Sequence, residues 1–173
     1  MKMMKTCVLA AGLLALSAAG ASAQSLLLTA TLTGAGESTQ TTNGINTGAF
    51  GNAIVLVDLA ARTVRYEVNV FNLPSGVTAS HIHVGAVQTP GPVVVNFTPP
   101  ANASNDFSFC GTVQDTAFIL RTDQGIRSPD DMFQAIFGGN SYVNVHSTIN
   151  PGGEIRGQLG VAPVGTANPR PAC

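Results

Sequence analysis

From Gln24 onward the chain keeps returning to a two-residue rhythm of apolar and polar side chains. The rhythm is clearest in Thr63–Val70, where Val64, Tyr66, Val68 and Val70 alternate with Thr63, Arg65, Glu67 and Asn69. Successive strand side chains point to opposite faces, so this pattern describes a strand with one face in a core and one in water. Leu26–Thr33, Ala53–Asp58, Ser80–Val84, Pro92–Phe97, Phe107–Val113, Tyr142–His146 and Glu154–Val161 are further strand candidates. Leu59-Ala60-Ala61-Arg62 forms a hairpin turn between two of them, and residues 35–50, polar and rich in Gly, form a loop. Such short strands separated by turn residues predict an all-β fold, an antiparallel Greek-key β-barrel or sandwich.

One short helix interrupts the strands. Ser128 offers a capping hydroxyl, Pro129 suits the first helical position, and Asp130 and Asp131 complement the helix dipole. Met132, Phe133, Ile136 and Phe137 form its apolar face, and Gly138-Gly139 ends it. Such a helix is expected to pack over a barrel end.

Composition narrows the function. Charged residues make up 10% of the 173, against about 25% in an average soluble domain. That excludes a nucleic-acid binder working by massed Lys and Arg. The N-terminal stretch has Lys2 and Lys5, then the apolar run Cys7–Ala19, then Ala21-Ser22-Ala23. This is the layout of a secretory signal peptide over residues 1–23, cleaved before Gln24. The run is too short for a membrane anchor, since a spanning helix needs about 20 apolar residues. Without residues 1–23 the chain carries six arginines, no lysine and nine acidic residues, a net charge of −3. Lys-dependent chemistry is thereby excluded, and a secreted or periplasmic location is expected.

Two cysteines remain, Cys110 and Cys173. An even pair in an exported chain points to a disulfide that pins the 161–173 tail to the body. The alternatives are two separate thiols, or a Cys173 that pairs between chains. No feature marks a subunit interface. Asn96-Phe97-Thr98 and Asn102-Ala103-Ser104 match the glycosylation pattern, which matters only in a glycosylating host.

All three histidines fall in strand candidates. His81 and His83 flank Ile82, so both imidazoles project to the same face while Ile82 enters the core. A His-x-His pair on a strand is either a two-point metal chelate or two ordinary surface residues. In Tyr142–His146, Val143 and Val145 face inward, and Tyr142, Asn144 and His146 face outward. If the chain returns through Asn150-Pro151-Gly152-Gly153 as a hairpin, His146 shares a wet face with Glu154 and Arg156. Neutral imidazoles suit copper or zinc, and copper ranks above zinc in intrinsic affinity. Zinc with a bound water would imply hydrolysis instead. Metal-bound imidazoles give their second N–H to a carboxylate or carbonyl. Glu154 is the best-placed candidate for that role, with Asn144 and Asp106 beside it. Met132 belongs to the helix core, and Tyr142 is either redox active or an ordinary surface residue. No nucleophile elbow, phosphate loop or dinucleotide fingerprint is present.

These segments carry a resemblance. His81-Ile82-His83-Val84-Gly85 with Pro90–Val95, and Tyr142–Ser147 with Asn150–Leu159, resemble the two signatures of the CHRD (chordin-type) domain family, over about residues 26–160. That family is similar in turn to copper/zinc superoxide dismutase, a Greek-key β-barrel. The resemblance implies that His81, His83 and His146 stand in the order of the dismutase copper ligands. It also implies that Arg156 stands where an arginine guides the anionic substrate. It departs from the dismutases in having no fourth histidine, no zinc-ligand histidines, and cysteines placed differently. What it implies is one copper ion held by three histidines, serving redox chemistry on small oxygen species or copper storage and transfer. The alternative is an extracellular interaction module without metal.

Overall fold

The computed structural model describes residues 25–38, 43–163, 171 and 173; the signal-peptide expectation for residues 1–23 lies outside them. Nine strands appear in chain order: β1 Ser25–Thr33, β2 Phe50–Asp58, β3 Thr63–Leu73, β4 Val77–Val84, β5 Val93–Asn96, β6 Asn105–Gln114, β7 Ser141–Ser147, β8 Ile155–Gln158 and β9 Gly160–Val161. They form one sheet in the order β5-β4-β7-β8-β1-β2-β3-β6, with β9 also paired to β1 and every pairing antiparallel.

β1, β2 and β3 are sequential neighbours. The chain then passes from β3 to β4, back from β5 to β6, and again from β6 to β7, between strands that are not adjacent. These crossings make a Greek key. The sheet curls into a nearly closed barrel. At the β5 edge, Ile119 N–H donates to Val94 O (2.9 Å) and Arg121 Nε to Val93 O (2.9 Å), so the segment after β6 covers that edge. Across the same seam, Tyr66 of β3 stacks on Phe97, centroids 3.8 Å apart.

The barrel is filled by the apolar half of each alternation, including Leu28, Leu32, Val55, Val68, Ile82, Val143, Val145 and Ile155. The hairpin between β2 and β3 turns on Asp58, whose Oδ1 accepts from the N–H groups of Ala60 and Ala61. A helix, α1, spans Pro129–Phe137. Its capping box is complete: Ser128 Oγ accepts from Asp131 N–H, and the Asp131 carboxylate accepts from Ser128 N–H. Met132, Phe133 and Ile136 are buried. Phe133 meets Phe118 edge-on and lies under Arg62 of the β2–β3 turn, which seats the helix at that end of the barrel.

Two expectations change in detail. The Glu154–Val161 segment is two strands broken at Leu159: β8 lies between β7 and β1, and β9 pairs with β1 alone. The loop after β1 opens on a 3-10 turn, Gly34–Gly36, capped by the Thr33 hydroxyl. That turn lies against β8 so closely that a Cβ at Gly36 would stand 2.3 Å from Arg156 O.

Candidate metal centre

β4 and β7 are neighbours, with His81 opposite Asn144, His83 opposite Tyr142, and His146 opposite Ala79. This register gathers the three histidines on one face of the two strands. His81 Nδ1 lies 3.2 Å from His146 Nε2. One ring nitrogen from each of His81, His83 and His146 can be chosen so that all lie within 4.8 Å of one another. Three nitrogens around one ion at about 2.0 Å would stand roughly 3.5 Å apart, so the three rings would have to draw together to hold one.

The tautomers follow from the partners. His83 Nδ1 lies 2.9 Å from Gly91 O, and His146 Nδ1 lies 2.9 Å from Pro151 O. A carbonyl only accepts, so both imidazoles donate from Nδ1 and keep a lone pair on Nε2. His83 Nε2 is buried and has no hydrogen-bond partner. A buried polar atom without a partner is rare and calls for one; an ion at the centre of the three rings would supply it. Burial lowers the pKa of His81 and of His83 to about 4, and lowers that of His146 as well. Neighbouring imidazoles add to the effect at His81 and His83. The site is therefore neutral at pH 7, the state that binds metal.

The face that carries these residues is not wet. Tyr142, Asn144, Glu154 and Arg156 are each 2% exposed or less, and His83 and His146 are nearly as buried. Loops from three places cover it: the segment after the 3-10 turn, the β4–β5 connection and the β7–β8 connection. Ser38 Oγ donates to Gln88 O (2.8 Å) and so ties the first cover to the second. His81 is half-buried.

The polar residues divide around the cluster. The imidazole N–H partners are the carbonyls of Gly91 and Pro151. Glu154 accepts from Ser147 Oγ (2.7 Å) and Asn150 Nδ2 (2.6 Å). Burial opposes its ionisation, but hydrogen bonds from Ser147, Thr47 and Asn150 hold its pKa below the usual range. It braces the β7–β8 connection that carries Pro151. Asn144 O accepts from Ser80 Oγ (3.0 Å), while its side chain lies beside Glu37. Asp106 accepts from Asn72 N–H, outside the cluster. Arg156 is 2% exposed, with Nη2 donating to Ala86 O (2.7 Å) and its guanidinium carbon 3.4 Å above the Tyr142 ring centre. Cys110 and Cys173 are joined as a disulfide, Cα atoms 6.0 Å apart.

Glu37 went unmarked in the sequence. It is 1% exposed, and burial raises its pKa against the opposing effects of Ser38 N–H, Arg156 and Asn144. It sits in a polar, Gly-rich loop without periodicity, so its burial left no local signal. The backbone confirms its place: Gly153 has φ +136°, and a Cβ there would stand 2.3 Å from Glu37 Oε2.

The fold and site together define an all-β barrel protein with a buried three-histidine cluster capable of holding a metal ion. The sequence matches the CHRD domain family over residues 28–159, and the chain belongs to that family. No curated protein and no solved structure matches it.

Proposed function

We propose that this is an exported CHRD protein that binds one copper ion through His81, His83 and His146. The observation that carries the reading is the convergence of three neutral imidazoles on one point, with His83 Nε2 buried and unpartnered there. A neutral, nitrogen-only donor set favours copper over zinc in intrinsic affinity, and the dismutase-like order of the histidines points the same way. Export is supported by the signal-like N-terminus and by the disulfide, a bond typical of oxidising compartments. Among the described residues no helix is long and apolar enough to cross a membrane.

Copper bound here would supply a one-electron couple. The chain's own residues orient the imidazoles, exclude water and hold Nδ1 protons on two carbonyls. Storage or transfer of copper fits better than turnover on superoxide. No fourth histidine is present, and Arg156 is enclosed instead of facing solvent, where it would guide an anion. The test is metal content and Cu(II) spin resonance of the protein loaded with copper and zinc in competition, beside His81→Ala and His146→Ala. Stoichiometric copper with nitrogen hyperfine structure, lost in both variants, is expected. Retention unchanged in both variants, or no retained copper, overturns the reading and leaves a barrel that serves as an interaction module.

A further inference from the structure

The register that gathers the histidines also stacks a second set of side chains behind one of them. His83 and Tyr142 are cross-strand partners, and their rings lie parallel, 4.8 Å apart at 10°. Arg156, opposite Asn144 on the next strand, lies over a face of Tyr142 at 3.4 Å. The three form a buried group of imidazole, phenol ring and guanidinium across β4, β7 and β8. Tyr142 Oη accepts from Gly91 N–H (3.0 Å), and Gly91 O accepts the Nδ1 proton of His83. Arg156 also bonds Ala86 O in the same connection. The aromatic ring and the backbone thus both tie Arg156 to His83.

The guanidinium charge is poorly compensated. Arg156 Nη1 is buried without a hydrogen-bond partner, and among the described residues Arg156 takes part in no ion pair. Glu37 lies near Arg156 without a contact ion pair between them. Arg121, anchored on Val93 O, adds a second positive charge that acts on His83. Asp and Glu carboxylates do not complete the ligand set; it is three imidazoles. An ion entering this site meets neutral donors and a fixed positive field. Field energies in such surroundings scale with the charge of the ion.

We propose that Arg156, acting through Tyr142, is a specificity-determining residue that biases the three-histidine site toward the monovalent over the divalent state of the metal. In copper chemistry this means Cu(I) over Cu(II). The inference rests on the copper reading above but concerns the charge state, not the presence, of the ion. It assigns Arg156 a role inside the protein, as a buried charge behind a ligand. A trigonal set of neutral imidazoles suits Cu(I), so donor set and field act together.

The test measures Cu(I) and Cu(II) affinities by competition with chromogenic chelators, and the reduction potential of the copper-loaded protein, in wild type and variants. Arg156→Gln keeps a donor for Ala86 O and removes the charge. It should raise the Cu(II)-to-Cu(I) affinity ratio on the order of tenfold, equivalent to a fall of about 59 mV in potential. Arg156→Lys keeps the charge and should stay near wild type. Should the buried Arg156→Gln variant not fold, Arg121→Gln removes the second, more accessible charge and should move the ratio the same way by a smaller factor. A ratio unchanged in the charge-removing variants, with copper still bound, overturns this inference and leaves the copper site standing. Failure of the wild type to bind either ion through its histidines overturns both.

Discussion

His83 donates its Nδ1 proton to Gly91 O, so only Nε2 is left to meet an ion. Where a proton sits on one imidazole therefore decides what the whole site can do. The same burial makes the metal-free protein sensitive to acid. His81 and His83 have pKa values lowered from 6.5 to about 4, chiefly by desolvation. Because the folded state binds these protons less readily than the unfolded state, their contribution is present above 6.5 and is lost as pH falls toward 4. We expect the chelator-treated protein to unfold at progressively lower denaturant between those values, and His83→Gln to flatten that dependence. An equal slope in the variant would show that other groups carry it. Gly153 is a second residue on which the site depends. Its φ of +136° and the 2.3 Å gap to Glu37 Oε2 leave no room for a methyl group. Gly153→Ala should cost roughly 1–3 kcal/mol for the backbone alone, read as a lowered midpoint in urea, with the proposed copper affinity falling too as Pro151 O shifts from His146.

Among the strands, β3 and β7 show how much a local pattern can reveal. In β3 the alternation from Val64 to Val70 comes out as buried and half-buried side chains in turn, as one covered face requires. In β7 the same alternation holds, Val143 and Val145 in the core and Asn144 and His146 on the other side, yet every residue is buried. Period two records which side chains share a face. It carries no record of whether a loop distant in sequence lies on that face. The expected wet face fails for that reason, and with it the expectation of an exposed Arg156. The helix was legible because its signals are local: a capping hydroxyl, a proline and an apolar face within ten residues. Ser128→Ala should destabilise the protein by about 1 kcal/mol, seen as a lower urea midpoint at constant slope, without change in the proposed copper binding. A larger loss would mean that the helix supports the barrel end through more than its cap.

On the scale of the whole molecule, the disulfide joins two residues 63 apart in sequence, Cys110 on β6 at one end of the strand order and Cys173 of the tail. Closing a loop of that length restricts the unfolded chain by up to about 4 kcal/mol in the chain-entropy picture. Reduction, or the double variant Cys110→Ser and Cys173→Ser, should lower the thermal midpoint while leaving the proposed copper binding intact, because Cys110 on β6 and the histidines on β4 and β7 belong to different parts of the sheet. Loss of copper on reduction would instead place the tail in contact with the site.

The sequence by itself determined the strand and helix types, which histidines share a face, and membership of the CHRD family, because side-chain period, capping chemistry and motif spacing are short-range properties. Only the tertiary structure decided that this face is closed over, that Glu37 enters it from a loop more than forty residues before His81, and that Arg156 lies against Tyr142 behind His83. Those facts depend on the register between β4, β7 and β8 and on how three connections pack across it. Register and loop packing are set by contacts between residues far apart in the chain, which a local pattern does not encode.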